Sequence, residues 1–155
     1  MIPIIAVVAL IDQVVKEIML HHLQDGQVHY LIGDWFRFRL LFNSGAAFSF
    51  GEGATWIFTT IQLGFVIAVL LLGHRVQDRW SAIGLALMAG GALGNVIDRL
   101  FRAPGFFVGH VVDFISVGNF AVFNLADSAI TCGVVVFVIG MLLQDRQAKA
   151  GDSRA

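Results

Sequence analysis

Charge is what this sequence has least of. Asp, Glu, Lys and Arg make up only 14% of its 155 residues, where a soluble globular domain carries about one quarter. The hydrophobic share is 57% and the mean hydropathy is +0.80, so the chain reads as an integral membrane protein. A formal net charge of −1 without a basic stripe excludes nucleic acid as a partner. Cysteine is present once, as Cys132. No internal disulfide can form, and its place in an apolar helix points to packing. There is no CxxC and no His/Cys cluster. His21, His22 and His29 share one loop without a fourth ligand, so neither a metal nor another cofactor is expected. The apolar start lacks a basic leading region and a small-residue cleavage site, so it is read as a helix and not as a signal peptide.

What is present is a series of long apolar segments, read as one domain over residues 1–155. Residues 2–20 would make a helix about 28 Å long at 1.5 Å per residue, close to one hydrocarbon thickness. Asp12 and Lys16 fall on one face of it by their i, i+4 spacing. They are either a pair snorkelling to the membrane surface or a pair facing a polar cavity. Residues 54–73 carry no charge and can span a bilayer. Thr60, Gly64 and Ala68 form a small-residue stripe there, suited to helix contact. A third helix is expected over 80–98, with Ala82, Ala86, Gly90 and Gly94 in the same spacing and Gly91 widening it. A fourth is expected over 127–144. The tail, 145–155, is polar.

The two loops between spans, 21–53 and 99–126, are not filler. Residues 35–40 alternate with period two, placing Phe36, Phe38 and Leu40 on one face of a strand at the membrane surface. The run from Phe42 to Phe48 is small, flexible and apolar, and admits close approach of a backbone or lipid. Gly118-Asn119 is a two-residue hairpin signal inside a second strand-rich stretch, 106–123. The expected fold is therefore α-helical and membrane-integral, with four transmembrane helices and a small β-rich platform on the outer side. Four spans put both termini and the turn at 74–79 on one side. That side carries Arg75, Arg79, Arg146, Lys149 and Arg154, against Arg37, Arg39, Arg99 and Arg102 opposite. A surplus of one charge favours a cytoplasmic tail.

Three acids stand out against this background: Asp98, Asp113 and Asp127. An ionised carboxylate near bilayer depth is expensive, which makes each a functional candidate. Asp98 stands beside Arg99, which offers it a structural partner. Asp113 and Asp127 are flanked by apolar residues. Two carboxylates brought together in such a setting do not both ionise easily and share a proton. That suits general acid/base work, with one acid activating water and the other protonating a carbonyl oxygen. Neither Ser44 nor Ser128 has an obvious partner histidine, so a covalent nucleophile is not evident.

Five stretches resemble the sequence blocks of bacterial lipoprotein signal peptidase (signal peptidase II), and they occur in that family's order. They are Asp12-Gln13-Val14-Val15-Lys16, Asn43-Ser44-Gly45-Ala46-Ala47-Phe48, the run from Gly90 to Arg99, Val111-Val112-Asp113-Phe114, and Phe123-Asn124-Leu125-Ala126-Asp127-Ser128. The resemblance covers nearly the whole chain. It implies an aspartic endopeptidase, multi-pass in the bacterial inner membrane, with its active site toward the extracytoplasmic face. Its partners would be lipidated prolipoproteins, cut just before the diacylglyceryl-modified cysteine, and the membrane lipids around them. By block position Asp113 and Asp127 match the catalytic pair. Asp12, Lys16, Asn43, Asn95, Asp98, Arg99 and Asn124 match residues that bind substrate or brace the site. One departure is the start, where Met1-Ile2-Pro3 opens the first helix at once and family members commonly carry a few more, often basic, residues.

Two other classes fit the apolar segments. A transporter or proton relay would use membrane acids to move ions, but no internal repeat or broken helix accompanies them. A structural subunit would explain the small-residue stripes but not the polar rim.

Overall fold

The computed structural model describes residues 1–23, 26–45 and 55–152. Among the described residues, four α-helices and three strands follow one another: α1 (Ile2–His22), β1 (His29–Ile32), β2 (Phe36–Asn43), α2 (Thr55–Leu72), α3 (Arg79–Phe101), β3 (Val111–Val117) and α4 (Leu125–Asp152), with one 3-10 turn at Gly73–Arg75. Among the described residues, three stretches are long and apolar enough to cross a membrane: Thr55–Arg75, Arg79–Phe101 and Leu125–Arg146. The chain is a membrane protein. α1 has the length, but it carries Asp12, Lys16 and Glu17.

α3 is the centre of the bundle and packs against α1, α2 and α4. It begins at Asp78, whose carboxylate accepts the Ser81 N–H at 2.6 Å and so satisfies one of the free donors of a helix start. Its small residues set the approach of its neighbours. Ala86, Ala89, Gly90, Gly91, Ala92 and Gly94 are all buried. A Cβ on Gly91 would collide with the Ala126 carbonyl oxygen, so only glycine lets the start of α4 lie against α3 there. The small-residue stripe expected on α2 is not used in this way. Thr60, Gly64 and Ala68 are exposed, and α2 buries Thr55, Thr59, Val66 and Val69 instead. Smallness permits contact but does not decide which face meets α3; here the β-branched face does.

The strands form one antiparallel sheet in the order β1-β2-β3. Its register contains the feature that matters most for the site. Phe38 pairs with Ile115, but Leu41 pairs with Asp113, so β2 carries one extra residue between the two pairs. This bulge ends the period-two alternation expected through Leu40. It also moves Asn43 onto the same face of the sheet as Asp113; without it, the one-residue shift would put Asn43 on the other face. Phe42, opposite Val112, lies on the face away from Asp113. Strand structure in 106–123 is confined to Val111–Val117, and the chain returns from Gly118 through the single bridge Ile115↔Phe123. α4 continues past the expected 144 to Asp152. Phe48, part of the flexible apolar run, lies outside the described residues.

Candidate active site

Asp113 and Asp127 are brought together from a strand and a helix start, and Asn124 touches both. Its side-chain Nδ2 donates to Asp113 Oδ1 at 2.7 Å, and its backbone N–H donates to Asp127 Oδ2 at 3.1 Å. The second bond belongs to a local motif. Asn124 caps α4, its Oδ1 accepting the Asp127 N–H at 2.9 Å, while the Asp127 carboxylate reaches back to the Asn124 N–H. This reciprocal capping box means that Asn124-Leu125-Ala126-Asp127 orients its own carboxylate. Asp127 Oδ1 accepts Asn95 Nδ2 at 2.9 Å, and Asp113 Oδ2 accepts Asn43 Nδ2 at 2.9 Å. All four carboxylate oxygens therefore face donors.

The two acids differ in exposure. Asp113 is buried, at 1%, and Asp127 is half-buried. Burial pushes the Asp113 carboxyl up to about 6. The Asn43 and Asn124 donors and the Lys16 charge pull it down, and the Asp127 charge adds to the rise.

Behind this pair lies a second buried cluster. Lys16 Nζ contacts Asp12 Oδ2 at 2.7 Å, Asp98 Oδ2 at 2.8 Å and Asn95 Oδ1 at 3.0 Å. Asp12 and Lys16 thus do not snorkel; both are buried. Asp12 Oδ1 accepts the Ala126 N–H at 2.9 Å, tying α1 to the start of α4. Asp98 Oδ2 accepts the Val112 N–H at 3.1 Å, which fixes the backbone beside Asp113. Asp12 and Asp98 accordingly brace the elements that carry the other two acids.

Arg99 is not the partner of Asp98. Asp98 is held by Lys16, by Arg102 Nε at 2.7 Å and by Gln13 Nε2 at 3.1 Å. Arg99 points instead to Gln62 Oε1, at 2.9 Å, and its charge acts on Asp127, Asp113 and, least of the three, Asp98. Among the described residues, Arg99 Nε is a buried donor with no hydrogen-bond partner. Sequence reasoning left Gln13, Gln62 and Arg102 without roles. Gln62 carried a usable signal: it is the one amide side chain in α2, a span without any charge.

The arrangement is that of a buried polar centre in a membrane protein, and comparison with solved structures gives its class. Two structures described as bacterial membrane enzymes, determined by the in meso method, superpose on this chain. The one at 2.3 Å resolution has TM-score 0.77 and 32% identity, covering 96% of this chain and 90% of that one. The one at 1.9 Å has TM-score 0.75 and 32% identity, covering 91% of each. The sequence model of the signal peptidase (SPase) II family matches residues 4–143. Similar curated proteins are named lipoprotein signal peptidase. That of Rhodococcus jostii (strain RHA1) is 46% identical over 90% of this chain and 71% of its own length. That of Mycobacterium tuberculosis (strain ATCC 25618 / H37Rv) is 46% identical over 87% and 67%. That of Streptomyces coelicolor is 48% identical over 84% and 64%. The chain belongs to the signal peptidase II family and is a peptidase.

Proposed function

We propose that this chain removes signal peptides from lipoprotein precursors, and that Asp113 and Asp127 do so by activating water. The observation that carries the reading is the linkage of the two carboxylates through Asn124, one buried and one half-open, where the sheet meets the helix bundle. Asp113, lifted to about 6, can both hold and release a proton near neutral pH. It is assigned the acid that protonates the scissile carbonyl oxygen. Asp127, open to entering water, is assigned the base. Water attacks the carbonyl carbon, its proton passes to Asp127, and a tetrahedral intermediate forms without a covalent enzyme adduct. Arg99 Nε, which has no hydrogen-bond partner among the described residues, is assigned as a donor for a substrate carbonyl. Serine and cysteine reagents should not inhibit, and chelators should have no effect.

The finer reading follows the family resemblance. The cut falls just before a diacylglyceryl-modified cysteine, in the bacterial inner membrane, with the site at the extracytoplasmic face of a single domain over 1–155. α1 is proposed as a fourth span, which the burial and pairing of Asp12 and Lys16 make tolerable in hydrocarbon. Phe36 and Phe38 share the Asp113 face of the sheet and offer apolar surface to acyl chains. An ion-relay role is not favoured, because the acids gather at one end of α3 instead of forming a chain across the bilayer. The test is cleavage of a purified precursor in detergent, with and without its diacylglyceryl group. Product from the lipidated form alone is expected. Equal cleavage of both would remove the lipid requirement, and ion flux into vesicles without cleavage would replace the peptidase mechanism.

A further inference from the structure

We infer that Lys16 is a positioning residue of the reaction, acting on Asp127 through Asn95. The inference rests on the assignment of Asp127 to the reacting pair. An ammonium has three donors and no acceptor. In Lys16 these three protons meet three oxygens, on Asp12, Asp98 and Asn95, and the side chain is 0% exposed. Lys16 therefore has one fixed geometry, set by acceptors on α1 and α3.

The third acceptor is the informative one. A side-chain amide has a carbonyl end and an NH2 end of nearly the same shape, and its surroundings decide which way it points. Asn95 Oδ1 accepts both Lys16 Nζ, at 3.0 Å, and Asn124 Nδ2, at 3.1 Å; its Nδ2 donates to Asp127 Oδ1 at 2.9 Å. Turning this amide over would set its NH2 against the ammonium and the Asn124 NH2, and its oxygen against the Asp127 carboxylate. Three attractive contacts would become repulsive together.

The other two amides of the site are locked by backbone. Asn43 Oδ1 accepts the Gly45 N–H at 2.8 Å, and Asn124 Oδ1 accepts the Asp127 N–H at 2.9 Å. Asn95 is locked by side chains: Lys16 and the backbone-held Asn124 share its oxygen, and of these two donors only Lys16 brings a full charge, which makes its bond the stronger one. Lys16, together with Asn124, thus keeps the Asn95 donor on Asp127 Oδ1, while the Asn124 N–H holds Oδ2. Asp12 and Asp98 supply the negative charge that lets a lysine sit there.

The test compares kcat, KM and pH profile for cleavage of a lipidated precursor in detergent. Removing Lys16 alone leaves two buried carboxylates short of a cation, so the variant used is the charge-balanced Lys16→Met with Asp98→Asn. Asp98→Asn alone is the control, because it disturbs the same cluster and keeps the Lys16–Asn95 bond. The double variant should lose about a hundredfold in kcat with KM unchanged, the scale of a misplaced catalytic group. Asp98→Asn alone should lose clearly less than the double variant, and the ratio of the two kcat values reads the part carried by Lys16.

A second variant, Asn95→Asp, decides the matter if the double variant does not fold. It keeps an acceptor for Lys16 and puts an oxygen where Asp127 needs a donor. The charged groups around position 95 are Lys16 and Asp127 on its side chain and Arg99 on its backbone carbonyl, with Asp12 and Asp98 one contact further on Lys16 and Asp113 one contact further on Asn124. Protonation of the new carboxyl restores an O–H donor toward Asp127, so activity should be lost at neutral pH and return on acidification. Normal kcat in the folded double variant, or Asn95→Asp activity that matches the parent or is absent at every pH, would overturn the inference. Asp127→Asn is run alongside. If it is inactive while Lys16→Met/Asp98→Asn is normal, only the role of Lys16 fails; if it is active, the carboxylate pair fails.

Discussion

Asn124 donates its side-chain amide to Asp113 over 2.7 Å, and it does so while capping the helix that carries Asp127. One residue thus fixes a strand acid relative to a helix acid. Asn124→Ala should lower kcat by about a hundredfold by misplacing both carboxylates. Loss of the cap should also cost about 1 kcal/mol of stability. Kinetics on the folded variant, with a melting curve, check the two effects separately. The expected loss of stability with unchanged kcat would mean that Asn124 only caps.

Asp98 should behave differently from the pair it supports. Its carboxylate receives Lys16, Arg102, Gln13 and the Val112 N–H. Breaking a buried ion pair from one side costs about 3–5 kcal/mol. Asp98→Asn should therefore melt well below the parent, while kcat of the folded fraction changes by less than about tenfold. Activity per folded molecule, measured after size-exclusion, separates the two.

Two glycines make a matched pair for the helix packing. A Cβ at Gly91 meets the Ala126 carbonyl oxygen and Ile130, while a Cβ at Gly64 meets nothing within 4 Å. Gly91→Ala should destabilise by about 1–3 kcal/mol and reduce turnover, because the displaced segment carries Asp127. Gly64→Ala, on an exposed helix face, should be neutral or stabilise by up to about 1 kcal/mol. Melting temperatures of both variants test the contrast.

The raised Asp113 predicts a pH-dependent stability. Its folded value of about 6 lies above the ordinary 3.8. A group raised by folding binds its proton more tightly in the fold, so its favourable contribution is complete below about pH 4 and lost as pH rises to about 6. About two units at 1.36 kcal/mol each amount to about 3 kcal/mol. Asp113→Asn, which cannot titrate, should gain about that much on the parent between about pH 4 and pH 7. Denaturation in detergent at several pH values gives the difference; a constant gap would mean that Asp113 is not raised.

Much of this was legible in the residues. The apolar runs announced the helices, because a buried or lipid-facing helix leaves an uncharged stretch about twenty residues long. The acids announced themselves by standing in apolar surroundings. What was not legible depends on register and on helix rotation. β1, at His29–Ile32, is exposed throughout and shows no alternation to read. The bulge between Phe38 and Leu41, which puts Asn43 on the Asp113 face, has no glycine to mark it. Arg99 stands next to Asp98 in sequence, but helical neighbours diverge by about 100°, so Asp98 meets Arg102 one turn on and Arg99 meets Gln62. The α2 stripe failed for the same reason: spacing identifies a face and not its neighbour.

The central claim is that Asp113 and Asp127 together activate water. Cleavage of a purified lipidated precursor by the parent, Asp113→Asn and Asp127→Asn, each shown folded in detergent, tests it most directly. Each substitution is nearly isosteric and removes one proton-transferring group. General acid/base groups contribute about 10²–10⁴-fold, and loss of one member of a jointly acting pair should exceed the lower end of that range. The account predicts that both folded variants bind precursor and release almost no product. Cleavage at the parent rate by either one would contradict it.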